Sequence, residues 1–175
     1  ATEAAMKART VGVRAGTPVV VALEVVALVA FIGLPPARFG WWPAAVITVD
    51  ADHFKRVNDN WGHPAGDRVL ARLAGVMQAS LRREDLLGRI GGEEFAMLLA
   101  DVDGVEARRI AVRLLDAIRG VEVPLGPGGE AYCGSASLGV ALVTPDGAGL
   151  EAALAAADRA MYRAKQNGRN RVEMA

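Results

Sequence analysis

Residues 86–100 read Leu86-Leu87-Gly88-Arg89-Ile90-Gly91-Gly92-Glu93-Glu94-Phe95-Ala96-Met97-Leu98-Leu99-Ala100. Two apolar runs, "LLGRI" and "FAMLLA", flank a glycine pair. This is the pattern of a β-hairpin in which glycine supplies positive φ angles at the turn. The second run is apolar without alternation, which suits a strand covered on both faces, begun by Glu93. Taken alone, "GGEE" reads most simply as a solvated turn. What lies around it decides otherwise.

Upstream, "AAVITV" (44–49) is a short β-branched apolar run ending at Asp50, a second candidate for a strand buried on both faces. After Pro64, Val69, Leu70, Leu73, Val76 and Met77 recur at helical spacing. Ala107, Ile110, Ala111, Leu114, Leu115 and Ile118 mark a second amphipathic helix, stopped at Gly120. "YCGSASLGVALV" (132–143) reads as one more strand. Leu150, Ala153, Leu154, Ala157, Met161 and Ala164 mark a last helix ending near Gly168, and "NRVEM" (170–174) reads as an edge strand. Strands alternating with helices around at least one hairpin predict an α/β fold with a largely antiparallel sheet.

A chain of 175 residues, 52% of them hydrophobic, is sized for one domain with a short appendage. Twenty basic and twenty acidic residues cancel, so no global field gathers a nucleic-acid polymer. A small charged ligand at a local site fits better. Cys133 is the single cysteine and the only histidines are His53 and His63, which excludes an internal disulfide and a histidine-built metal centre. This composition suits a cytoplasmic, reducing setting.

The N-terminal segment, residues 1–42, stands apart. Its run "VVVALEVVALVAFIGL" (19–34) is apolar except for Glu24 and falls short of the roughly 20 residues of a membrane span. Lys7, Arg9 and Arg14 precede it and Arg38 follows, an asymmetry that would send a lone span's C-terminal side outward. A buried, packing role is therefore preferred to a membrane anchor, and membrane attachment enters only if the segment is an anchor. The proline-rich "GLPPARFGWWP" then reads as a loop before the domain at 43–175.

If the strands ending at Asp50 and beginning at Glu93 are antiparallel neighbours, their carboxylates converge. A few hard oxygen ligands at an open sheet edge suit Mg²⁺, which is held by one or two carboxylates plus substrate phosphates. The connection "DADHFKRVNDNWGHPAGD" (50–67) adds other groups. Backbone amides near His53 and Phe54, at the start of a helical turn, suit phosphate oxygens, with Lys55 as a nearby point charge. Asn58 and Asp67 match a guanine edge, a carboxylate accepting from N1–H and the 2-amino group. Singly, each would be read as a cap or turn residue.

Together these motifs carry a resemblance. The region from about Ala44 to Val172 resembles a GGDEF domain of the diguanylate cyclase family, with "GGEEF" as the variant signature. The fifty-to-sixty-seven stretch, "SASLGVA" and "ADRAMYRAKQNGRNRV" match in order and spacing. The resemblance implies a palm-like nucleotide cyclase fold with a central five-stranded, mostly antiparallel sheet flanked by helices. It implies condensation of two GTP to cyclic di-GMP in at least a transient homodimer. By position, Asp50, the carbonyl of Ala51, Glu93 and Glu94 would hold Mg²⁺, with Mn²⁺ as a substitute. Glu93 would be the base and Lys55 would stabilise phosphate charge. Phe54, Asn58, His63, Asp67, Gly91 and Gly92 would bind the nucleotide, and Lys165 and Arg169 its β- and γ-phosphates. Arg82 and Asp85 fall where the family carries an R-x-x-D product-inhibition site. The alternative is a catalytically silent receptor binding cyclic di-GMP there. The family's usual D-x-L-T-x-L-x-N-R stretch before the first strand is not found between Ala1 and Trp42.

Overall fold

The computed structural model describes residues 20–21, 43–143 and 149–175. Apart from Val20–Val21, which forms a two-residue strand (β1), the apolar run at 19–34 lies outside the described residues. No helix among the described residues is long and apolar enough to cross a membrane.

Ala44–Ala51 (β2) is buried at every position and forms the middle of the sheet. It runs antiparallel to Glu94–Ala100 (β4) on one side and to Ala136–Val143 (β7) on the other. Leu86–Arg89 (β3) pairs antiparallel with β4, and Arg171–Met174 (β8) pairs parallel with β7. These five strands form the expected mostly antiparallel sheet, with β1 added parallel to β3 at the outer edge, in the order β1-β3-β4-β2-β7-β8.

Because successive residues of a strand face opposite sides, β2 serves two cores. Ala45, Ile47, Val49 and Ala51 pack with helices Phe54–Trp61 (α1), His63–Ala79 (α2) and Gly104–Arg119 (α3). Ala44 and Val46 face Ala153 and Ala157 of the last helix, Gly149–Gln166 (α4). Side chains such as Ile47, Phe95, Leu99 and Leu138, all but sealed from water, contribute about 1.5–3 kcal/mol each. Helix α3 starts at an Asp103 cap that accepts from the Glu106 amide at 2.8 Å.

Helix α4 lies unusually close to the sheet. A Cβ at Gly139, in the middle of β7, would overlap the Ala157 carbonyl oxygen and the Met161 amide nitrogen. With the small residues Ala153, Ala157, Ala160 and Ala164 all buried on α4, backbone meets backbone across this contact.

Three expectations need correction. "YCGSASLGVALV" is two strands, because Gly134 turns the chain where a Cβ would overlap the Ile118 carbonyl. Its first part, Ala131–Cys133 (β6), joins Glu122–Pro124 (β5) in a separate two-stranded sheet that alternation in so short a stretch does not reveal. Secondly, β4 begins at Glu94, leaving Glu93 in the turn. Finally, neither Gly91 nor Gly92 adopts positive φ. The turn closes instead through the Glu94 carbonyl, which accepts from the amides of Ile90 (2.9 Å) and Gly91 (3.3 Å). The Arg89 guanidinium adds bonds to the carbonyls of Gly91 and Gly92.

Candidate active site

The β2–β4 register sets the site. Asp50 and Glu94 are direct partners across the antiparallel pair, so both carboxylates leave the same sheet face at the same edge. Ser137 is the partner of Asp50 on the other side. Glu93 follows around the turn, and its carbonyl accepts from the Ala51 amide at 3.2 Å, which fixes the turn against the end of β2. Strand ends do converge here, but the residue opposite Asp50 is Glu94 rather than Glu93.

The Asp50 carboxylate is nearly enclosed, and its Oδ2 accepts from Lys165 Nζ at 2.6 Å. Burial pushes this carboxyl above its ordinary value, the Lys165 ammonium opposes that rise, and the neighbouring Glu94 and Asp52 carboxylates add to it. Lys165 sits on the last turn of α4, so the close Gly139 contact determines how far its ammonium reaches over the sheet edge.

Among the described residues, no three His, Cys, Asp or Glu side chains form a ready-made metal cage. A pair of carboxylates at an open edge nonetheless has the donor chemistry of a Mg²⁺ site completed by substrate oxygens and water. Such a pair fits a metal whose remaining ligands come from a bound molecule and water.

The connection after β2 becomes α1, entered through His53 in the left-handed region at φ 61° and left through Gly62 at φ 75°. No side chain caps α1, and among the described residues the amides of His53, Phe54 and Lys55 have no acceptor. They are free to meet an anion, with the exposed Lys55 beside them. The Phe54 ring itself belongs to the core, leaving only its backbone to touch a ligand.

Asn58 Oδ1 is buried without a hydrogen-bond partner. A Cβ on Gly66 would overlap that oxygen, so the α1–α2 corner packs tightly around it, with His63 and Asp67 exposed on the first turns of α2. An orphaned acceptor beside an exposed carboxylate is a pattern a donor-bearing ligand edge resolves. At the signature turn, a Cβ on Gly91 would meet Glu94 Oε2 at 2.6 Å, whereas Gly92 opens onto empty space.

The Arg169 side chain is exposed and its backbone sits at φ 61°. Arg82 is exposed and lies 3.4 Å from Glu106. Asp85, by contrast, is buried, its Oδ2 accepting from the Arg82 amide (2.8 Å) and its Oδ1 from the Ala100 amide (3.2 Å). Its carboxylate therefore shapes the turn into β3. Sequence reasoning gave no role to Asp52, Ser135 or Ser137, which form a hydrogen-bonded cluster beside Asp50, with Asp52 and Ser137 buried and Ser135 half-buried. The one available signal was the D-x-D spacing at the strand end.

Residues 42–171 match the family described as "Diguanylate cyclase, GGDEF domain". Over 133 residues the chain is 38% identical to the probable diguanylate cyclase DgcT of Escherichia coli, covering 74% of this chain and 29% of that protein. The crystal structure of the GGDEF domain of DgcB from Caulobacter crescentus in complex with c-di-GMP is similar at TM-score 0.78 and 27% identity, over 93% of this chain and 96% of that one. The active GGEEF domain of a diguanylate cyclase from Vibrio cholerae is similar at TM-score 0.69 and 31% identity, over 83% and 89% of the two chains. The chain spans about a third or less of the length of the curated relatives it matches.

Proposed function

The chain belongs to the GGDEF family of diguanylate cyclases, and from that premise we propose that it condenses two GTP into cyclic di-GMP with release of two pyrophosphates. The observation that carries this reading is the Asp50–Glu94 carboxylate pair at one sheet edge with Lys165 2.6 Å from Asp50. A receptor that only binds cyclic di-GMP has no need of this costly cluster of buried charge.

Asp50, Glu94, Glu93 and the carbonyl of Ala51 would hold Mg²⁺, with Mn²⁺ as substitute. When bound, the ion supplies charge neutralisation at the phosphates and eases ionisation of the ribose 3′-OH. The amides of His53, Phe54 and Lys55, without an acceptor among the described residues, and the ammonium of Lys55 receive phosphate oxygens. Asn58 Oδ1 gains the donor it lacks from guanine, and Asp67 accepts from N1–H and the 2-amino group, which adenine does not offer in that arrangement. His63 flanks the nucleotide, and the open space over Gly92 leaves room for it. Lys165 and Arg169 take the β- and γ-phosphates, so Lys165 exchanges its Asp50 partner for substrate.

Chemically, Glu93 takes the 3′-OH proton, the 3′-oxygen forms a bond to the α-phosphorus of the opposing GTP, and the bond to pyrophosphate breaks. The reciprocal step closes the ring. One GTP per domain makes a two-fold pair of domains the minimal catalyst. The DgcB domain binds c-di-GMP; by analogy, the exposed Arg82 guanidinium is suited to the O6 and N7 edge of product guanine and forms the inhibitory site, while the buried Asp85, committed to the Arg82 and Ala100 amides, supports the turn that presents it. The test is incubation with GTP and Mg²⁺ beside Glu93→Gln. Wild type should release cyclic di-GMP and pyrophosphate and the variant less than a hundredth as much; equal turnover by the two removes Glu93 from the chemistry.

A further inference from the structure

Two residues beyond Asp50, just past the end of the same strand, Asp52 is 3% exposed and touches no cation among the described residues. Its carboxylate instead collects three neutral donors. Oδ1 accepts from Ser137 Oγ at 2.8 Å, and Oδ2 accepts from Ser135 Oγ at 2.6 Å and from the Asn170 backbone amide at 3.0 Å. Ser135 returns the contact, its carbonyl accepting from the Asp52 amide at 3.0 Å and from the Tyr132 hydroxyl at 3.2 Å. A buried carboxylate satisfied this fully is held in one orientation.

The Asn170 contact reaches the least comfortable backbone of the C-terminal region. Gly168, Arg169 and Asn170 occupy positive φ in succession, at 107°, 61° and 49°. The last two pay a steric cost that glycine would not. Something must hold them there. Arg119 grips the Asn170 side chain (Nε to Oδ1, 2.9 Å) and carbonyl (2.8 Å), while Asp52 holds its amide. The turn so fixed carries Arg169, four residues beyond Lys165.

We infer that Asp52 is a positioning residue for nucleotide binding: with Asp50 it makes a two-point clamp on residues 165–170. Before nucleotide binds, Asp50 takes the Lys165 side chain and Asp52 the Asn170 backbone, so the end of the strand that carries Asp50 sets where the phosphate-binding cations stand ready. This rests on the cyclase reading for its substrate, but its geometry does not depend on any ligand.

The experiment has two arms on the full chain. In the first, without nucleotide, amide exchange across residues 166–172 is compared between wild type and Asp52→Asn. Exchange at Asn170 should quicken at least tenfold while that of β2 is unchanged; equal protection of Asn170 overturns the clamp. The second arm is GTP turnover. Asp52→Asn should raise KM about tenfold with kcat within threefold, and in an Arg169→Ala background it should add less than twofold. Independent, multiplicative effects, or a loss confined to kcat, overturn the positioning role. Adding Asn170→Gly, which favours the left-handed turn, should restore much of the KM lost in Asp52→Asn; no recovery counts against it. Should Asp52→Asn not fold, Asp52→Ser retains one acceptor and serves both arms. An inactive wild type with faster Asn170 exchange in the variant refutes the cyclase reading and leaves the clamp; an active wild type with unchanged exchange does the reverse.

Discussion

Gly139→Ala tests how the sheet and α4 together build the site. The new methyl would overlap the Ala157 carbonyl oxygen and the Met161 amide nitrogen, with the Ala157 carbonyl carbon 3.0 Å away. These are backbone atoms, so no side chain can rotate out of the way. Restoring ordinary contact of about 3.5 Å requires α4 to retreat by on the order of 1 Å. Overpacking of this kind costs about 1–3 kcal/mol, or a fall in Tm of roughly 3–12 °C for a domain of this size. Lys165 rides on that helix with its ammonium 2.6 Å from Asp50 Oδ2, and displacement of about 1 Å at a reacting site lowers rate by on the order of a hundredfold. Gly75→Ala is the control: it lies exposed in α2 with no atom within 4 Å of the added methyl. There alanine should stabilise by about 0.5–1 kcal/mol. Urea unfolding and GTP turnover on both variants decide the matter. A Gly139→Ala protein as stable and as active as wild type would refute the backbone-to-backbone packing of α4.

Other outcomes follow from the same geometry. Because burial raises the Asp50 carboxyl above its ordinary 3.8, folding favours its protonated form: the stability this lends is fully present below 3.8 and is lost as pH rises through the higher folded value. Asp50→Asn should therefore gain stability relative to wild type as pH rises through that window, while losing turnover; a difference independent of pH in urea melts would contradict this. Asp67→Ser should narrow the preference for GTP over ATP in competition binding, and unchanged selectivity would remove Asp67 from base recognition. Asp85→Ala, which abandons two backbone amides, should cost about 2–3 kcal/mol in unfolding, whereas Arg82→Ala, an exposed pair member, should cost under about 1 kcal/mol. Relief of product inhibition is thus to be sought in Arg82→Ala, and inhibition undiminished there would count against the R-x-x-D assignment.

Much of the fold was legible because its main signals are local. A six-residue apolar run predicts a strand buried on both faces, and helical spacing picks out α2, α3 and α4. The order of "DADHFKRVNDNWGHPAGD", "GGEEF" and "AKQNGRN" likewise announces the family. Less visible were features made by distant partners. Asp52 meets donors 83, 85 and 118 residues away, and no periodicity encodes that meeting. Asp85 reads as half of a ligand motif, yet its carboxylate is committed to two backbone amides, one of which, that of Ala100, only the β3–β4 pairing brings near. At the signature turn, glycine is needed for clearance rather than for positive φ, a distinction that requires knowing where the Glu94 carboxylate lies.

The proposed condensation has a fixed stoichiometry, read most directly by mass-spectrometric quantification of nucleotides and pyrophosphate after the folded chain is given GTP and Mg²⁺ over a range of protein concentration. One cyclic di-GMP and two pyrophosphates are expected for every two GTP consumed, at a specific rate that rises with protein concentration as domains pair. Absence of cyclic di-GMP from a folded chain at concentrations where it dimerises would contradict it.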